Sequence, residues 1–223
     1  MKAAALLTLL LAAPSDGINF TATSVNVAEP GTTVKITISR WSTDEERGPI
    51  VTALSPRPTP PAGATAVAGR NPDAAAGAAA RGRGAAAAGR GRGRGRGQAA
   101  PVSPIDAFTA ALGRAPTLGY IWTSDITGYA VKYAWHATLP DGTDRIVLAS
   151  DRRLGAYTNA WKTAAPAPET DYAFTLIELR SGPKGMLEGR TSLTTKITID
   201  SDAKTVALEN WGTGPAILHV ARR

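Results

Sequence analysis

Apolar and polar residues alternate most regularly in the stretch GYAVKYAWHATLPDGTDRIVLASD, residues 128–151. Tyr129, Val131, Tyr133 and Trp135 fall on one phase of a two-residue period, and Ala130, Lys132, Ala134 and His136 fall on the other, which is how a strand with one aromatic face reads. Leu139-Pro140-Asp141-Gly142 supplies a turn, and Ile146, Val147 and Leu148 return along a second strand, so a hairpin is predicted. Two strands alone are marginal in water, and the aromatic face therefore requires a cover of further strands or a helix. Tyr133 and Trp135 are expected in the core on this reading.

The pattern continues on either side. Ile18 to Val27 reads as a strand and Glu29-Pro30-Gly31-Thr32 as a turn, after which Val34, Ile36 and Ile38 alternate with Lys35, Thr37 and Ser39 in a second, half-buried hairpin. Two overlapping capping boxes, Ser42 with Glu45 and Thr43 with Glu46, mark a helix start, and Pro49 either ends that helix after one turn or lies inside one that runs on through Leu54. Ser103, Pro104 and the one-face set Ile105, Phe108 and Leu112 predict a second helix stopping at Gly113. Leu118 to Thr123 leads into the aromatic hairpin. Residues 172–180, YAFTLIELR, are apolar on both faces at their middle and read as a central strand. Gly182-Pro183-Lys184-Gly185 and Asp200-Ser201-Asp202 are turns; Leu193, Ile197 and Ile199 alternate before the second, Val206 and Leu208 return after it, and Ile217 to Val220 is a last strand. The expected fold is mainly β: an antiparallel sandwich, or a curled or open barrel, of about eight or nine strands with two short helices between strands 2 and 3.

Composition changes this picture in one place. The 24 residues from Ala74 to Gly97 are all Ala, Gly or Arg, and side chains no larger than Ala cannot offset the cost of ordering a backbone. Residues 55–102 are therefore expected to be a disordered insertion within a single β-rich domain, 18–223. That insertion holds eight arginines against one acid, Asp73, so it accounts for the whole net charge of +7 of the 223-residue chain. The remaining sequence is neutral and is not a basic nucleic-acid-binding domain by charge. Residues 1–15, with Lys2, the apolar run Ala3 to Ala13 and small residues after it, have the pattern of a bacterial signal peptide, which predicts a secreted or periplasmic protein. No other segment has the length of a membrane span, and the lack of cysteine excludes disulfides and thiolate metal sites.

The order ISRWSTDEE, LGYIWT, DGTDRIVLASDR, DYAFTLIELR, TKITID and KTVALENW resembles a group of exported bacterial β-rich proteins with no assigned activity. The resemblance covers most of residues 31–223 outside the insertion. It implies a single exported domain and carries no catalytic residues.

Candidate chemistry is sparse. His136 and His219, the only histidines, are far apart in the chain and lack a metal-binding spacing, so no metal or other cofactor is expected. Asp141, Asp144 and Asp151 with Arg145, Arg152 and Arg153 read as a turn with solvated ion pairs. Asp200-Ser201-Asp202-Ala203-Lys204 lacks the glycine and distal glutamate of a calcium loop and reads as a hairpin turn. Glu178 and Glu188 could serve as a carboxylate pair only at a separation that sequence does not give. The Arg-Gly run is the one segment with a nameable interaction: Arg81, Arg83, Arg90, Arg92, Arg94 and Arg96 resemble the arginine-glycine tracts that pair with phosphate and stack on bases. An anionic envelope polymer, a membrane surface or RNA is the partner it would take; the alternative is a tolerated low-complexity expansion. The functional expectation is a secreted binding or structural domain without an identifiable catalytic site, with polyanion binding through the insertion, or a hydrolase of unrecognised site, as alternatives.

Overall fold

The computed structural model describes residues 17–55, 102–123, 128–158, 160–164, 169–181, 187–212 and 218–222. The insertion and its arginines, and the amino-terminal run, lie outside the described residues. In chain order the elements are β1 (Ile18–Ser24), β2 (Thr33–Ile38), α1 (Asp44–Leu54), α2 (Pro104–Arg114), β3 (Gly119–Trp122), β4 (Tyr129–Thr138), β5 (Asp144–Ser150), β6 (Leu176–Ser181), β7 (Leu187–Thr191), β8 (Ile197–Asp200), β9 (Thr205–Leu208) and β10 (Leu218–Arg222). Eight strands close into an antiparallel barrel in the order β1-β10-β7-β6-β5-β4-β3-β2, and β8 with β9 forms a separate two-stranded sheet. Closure replaces the expected sandwich or open barrel. It leaves the barrel without an edge strand, because β10 pairs with both β7 and β1.

A barrel of eight strands is just wide enough to be filled by its own side chains. The inward positions of this one are Phe20, Val34, Ile36, Ile38, Ile121, Tyr129, Val131, Leu148, Ile177, Leu179 and Leu218, all at or near zero exposure, and they form one continuous core with Trp161 and Leu193. A second core lies outside the barrel. There Tyr133, Trp135, Val147, Ala149 and Leu176 face outward from β4, β5 and β6, and Ile50 and Leu54 of α1, Phe108 and Leu112 of α2, and Val206 and Leu208 of β9 cover them.

One irregularity creates this division. The register of β4 against β5 shifts between Val131 and Tyr133, so Val131 faces Ser150 while Tyr133 faces Ala149. Lys132 is the extra residue of a β-bulge, and it reverses the sense of every side chain after it. The single aromatic face expected of this strand is therefore split: Tyr129 and Val131 fill the barrel, and Tyr133 and Trp135 sit under the helices. All four are buried as expected, in two cores instead of one.

Local sequence accounts for the helical cover. Of the two capping boxes, Thr43 with Glu46 is the one that forms. Ser42 instead bonds the edge of β4 beyond the reach of β3, its N–H donating to the Ala134 carbonyl at 2.8 Å and its Oγ accepting from the Ala134 N–H at 3.0 Å. Helix α1 continues past Pro49 to Leu54, and α2, capped by Ser103 with Pro104 at its first position, runs one residue beyond Gly113. Strand boundaries differ from expectation in several places. The first strand ends at Ser24, with Asn26 in the left-handed region at φ 59°; the central strand begins at Leu176, leaving Tyr172 and Phe174 as a stacked pair in the preceding bend; and Leu193 lies in a turn.

Candidate functional site

Among the described residues, the outer surface over β5, β6 and β7 holds a dense charge cluster. Glu178 is fully buried and accepts three kinds of donor: Arg145 Nε at 2.8 Å, Arg180 Nη2 at 2.6 Å, and the Leu208 backbone N–H at 3.0 Å. Arg145 also bonds Asp200 at 2.5 Å and lies over the Trp135 ring, while Arg180 and Arg190 both lie over Trp211. Because Asp200 and Leu208 belong to the β8–β9 hairpin, the cluster ties that hairpin to the barrel. The Ala203 N–H, followed by Arg145, holds the Asp200 carboxyl below its usual range, and burial raises the phenol of Tyr133, which bonds Thr205 Oγ1 at 2.5 Å. Every carboxylate oxygen of Glu178 is occupied, so the cluster is a clamp with no free group for chemistry.

The other residues singled out from sequence are dispersed. His136, on β4, stacks on Trp41 with ring centroids 4.4 Å apart, and His219 stands exposed on β10, on the opposite side of the barrel with three strands between them in either direction. Among the described residues no group of three metal-ligating side chains comes together. Asp141, Asp144 and Asp151 serve turns and strand ends, bonding Thr143, Thr138 and the Ala130 N–H. Arg152 and Arg153 bond the backbone carbonyls of Gly128 and Thr170. Arg145 departs from the expected solvated pairs, being 5% exposed within the Glu178 clamp. Asp200 to Lys204 is the hairpin turn expected. Glu178 and Glu188 lie on neighbouring strands, and each is paired with an arginine.

The barrel wall of β1, β2 and β3 is different in character. Its outward positions form cross-strand rows: Asn19, Thr37 and Tyr120 in one, Thr21, Lys35 and Trp122 in the next, then Thr23 with Thr33. None of these is buried, and Tyr120 and Trp122 are 46% and 44% exposed. Their rings are 5.9 Å apart and inclined at 37°. Gly128 lets the indole lie flat on the backbone, since a Cβ there would sit 3.1 Å from three ring carbons. Between Trp122, Lys35 and the threonines Thr32, Thr33 and Thr123 lies a recess of about 480 Å³.

Beyond Gly128 the exposed surface continues. Arg152 donates to the Gly128 carbonyl at 2.6 Å, and its guanidinium covers both the Tyr129 ring at 5.2 Å and the Tyr157 ring at 5.9 Å. Tyr157, 69% exposed, lines a cavity of about 330 Å³ with Arg153, Thr158, Trp161, Lys162 and Glu169. None of Tyr120, Trp122 or Tyr157 stands out in the sequence. In LGYIWT both phases are apolar, which reads equally well as a strand covered on two faces.

No protein-family model, curated protein or solved structure matches this chain. Among the described residues no helix is long and apolar enough to cross a membrane.

Proposed function

We propose that this chain is a binding module for a polysaccharide, engaged on the bare wall of β1, β2 and β3 through Tyr120 and Trp122. The observation that carries the reading is the exposure of two adjacent aromatic rings on a rigid sheet, ringed by threonine hydroxyls and Lys35. A sugar ring presents a face of C–H groups, weakly positive, which packs on the negative face of an indole or phenol. Its hydroxyls exchange hydrogen bonds with threonine. Both partners here are fixed by strand pairing, so little side-chain entropy is lost on binding.

The magnitude is that of a carbohydrate module. Each ring leaves roughly 100 Å² of apolar area to cover, which at about 25 cal/mol per Å² gives about 2.5 kcal/mol. Two rings give about 5 kcal/mol before the cost of association, so a short oligomer is expected to bind weakly, with a dissociation constant of about 1 mM or above. The export predicted from residues 1–15 would put the module among envelope and extracellular polymers.

The test is co-sedimentation and calorimetry of the full chain with cellulose, chitin, xylan and polyuronates. The wild type is expected to bind at least one of these, and the double variant Tyr120→Ala, Trp122→Ala to lose at least tenfold in affinity with an unchanged thermal midpoint. Absence of binding to the whole panel, or affinity that survives the double variant, overturns the reading.

A further inference from the structure

We propose that the ligand is acidic, a carboxylate-bearing polysaccharide, and that it follows one continuous track from Trp122 across Arg152 to Tyr157 and the loop cavity beyond. The inference rests on the aromatic wall being the binding face and extends it in length and charge. Each step of the track is a contact: Trp122 on Gly128, Gly128 O accepting from Arg152, Arg152 over Tyr157, and Tyr157 at the mouth of the cavity that holds Lys162.

Charge selects the ligand. Lys35 stands exposed beside Trp122 at one end and Lys162 exposed at the other, and neither has a carboxylate partner among the described residues. Among the described residues, Asp151 is engaged with Arg152 at 3.5 Å and the Ala130 N–H, and Glu169 with Arg153 at 3.1 Å. The track is thus cationic in single, separated steps between stacking platforms, with hydroxyls interleaved at Thr33 and Thr158. A uronate polymer offers the complementary groups, a carboxylate on each ring flanked by hydroxyls. A nucleic-acid strand needs a denser run of cations to match its phosphates.

The experiment is calorimetric titration of the full chain with galacturonate and mannuronate oligomers, three residues long and nine or more, with methyl-esterified galacturonate oligomers, and with a single-stranded oligonucleotide. At low salt a long acidic oligomer is expected to bind at least tenfold more tightly than the esterified one, with the gap closing as salt is raised. Tyr157→Ala and Lys162→Gln, both exposed, are expected to weaken the long oligomer about tenfold and leave the trimer unchanged, whereas Trp122→Ala weakens both. If Trp122→Ala weakens binding while Tyr157→Ala and Lys162→Gln do not, the track is wrong and the aromatic wall stands. If Trp122→Ala has no effect on either length, the wall itself is wrong. Equal affinity for acid and ester, no binding of either uronate, or tighter binding of the oligonucleotide each overturns the acidic-polysaccharide assignment.

Discussion

The barrel turns two contrasting faces outward. On β4, β5 and β6 the outward residues are Tyr133, Trp135, Val147, Ala149 and Leu176, and two helices and a hairpin bury them. On β1, β2 and β3 they are mostly threonine, with Lys35 and Asn19, and they stay in water. A filled lumen already gives each strand one buried face, so a second cover is needed only where the outward face is apolar. The exceptions on the bare side are Tyr120 and Trp122, placed where neither core uses them. Large aromatics with no packing role on a rigid polar wall are what a recognition surface looks like.

This contrast can be broken most sharply at the clamp. Glu178→Ala leaves Arg145 buried with one partner fewer and Arg180 without its carboxylate, and loss of one member of a buried ion pair costs about 3–5 kcal/mol. Chemical denaturation is expected to show that loss. Hydrogen exchange should show the β8–β9 amides opening first while the lumen strands stay protected, because Asp200 and Leu208 are the hairpin's anchors. Uniform loss of protection would mean that the two cores unfold as one.

Trp135→Ala opens a cavity under the helices and removes the ring on which Arg145 rests, at about 3–5 kcal/mol. A thermal midpoint unmoved by this change would contradict its place in the outer core. Since Trp135 and Glu178 share Arg145, the double variant is expected to cost less than the two single losses added together.

The elements were more legible in the sequence than their arrangement. Alternation marks β4 and the apolar run Ile146 to Ala149 marks β5, Gly142 at φ 78° supplies the turn between them, and Thr43 and Ser103 cap the helices where cap residues stand in the chain. The bulge at Lys132 was hidden, because β4 is covered on both faces beyond it, so Tyr133 and Trp135 continue the apolar phase of Tyr129 and Val131 although the inserted residue has moved them to the other face. Strand β7, LEGRT, carries a glycine and two charges and has no strand pattern of its own. Gly189 is there because Leu179 and Leu218 fill the space a Cβ would take, each at 2.8 Å, a fact of the closed barrel and not of the local pattern. The candidate site was hidden for a related reason. Leu118 to Trp122 has the hydropathy of a doubly covered strand, and only the topology, which spends both helices on β4 to β6, leaves β3 bare. The arginine run was legible as composition alone, and it lies outside the described residues.

The smallest expected effect concerns the edge of the helical cover. Glu46 accepts from the Thr43 N–H at 3.0 Å and from Arg40 at 2.7 and 2.8 Å, closing the capping box of α1 and tying it to the end of β2. The Arg40 guanidinium, and then the Thr43 N–H, lower its carboxyl to about 2, against about 4.3 for a free glutamate. A depressed carboxylate stabilises the fold above its unfolded value and loses that contribution as pH falls toward the folded one. Glu46→Gln keeps an acceptor for the cap and removes the charge, so at pH 7 it is expected to cost under about 1 kcal/mol, as an exposed ion pair does. Between about pH 4.5 and pH 2 the wild type should lose its advantage, and its melting midpoint should converge on that of the variant. Midpoints that stay equally far apart across that window would show that the Glu46 charge, and with it the Arg40 pair, is not what the variant loses.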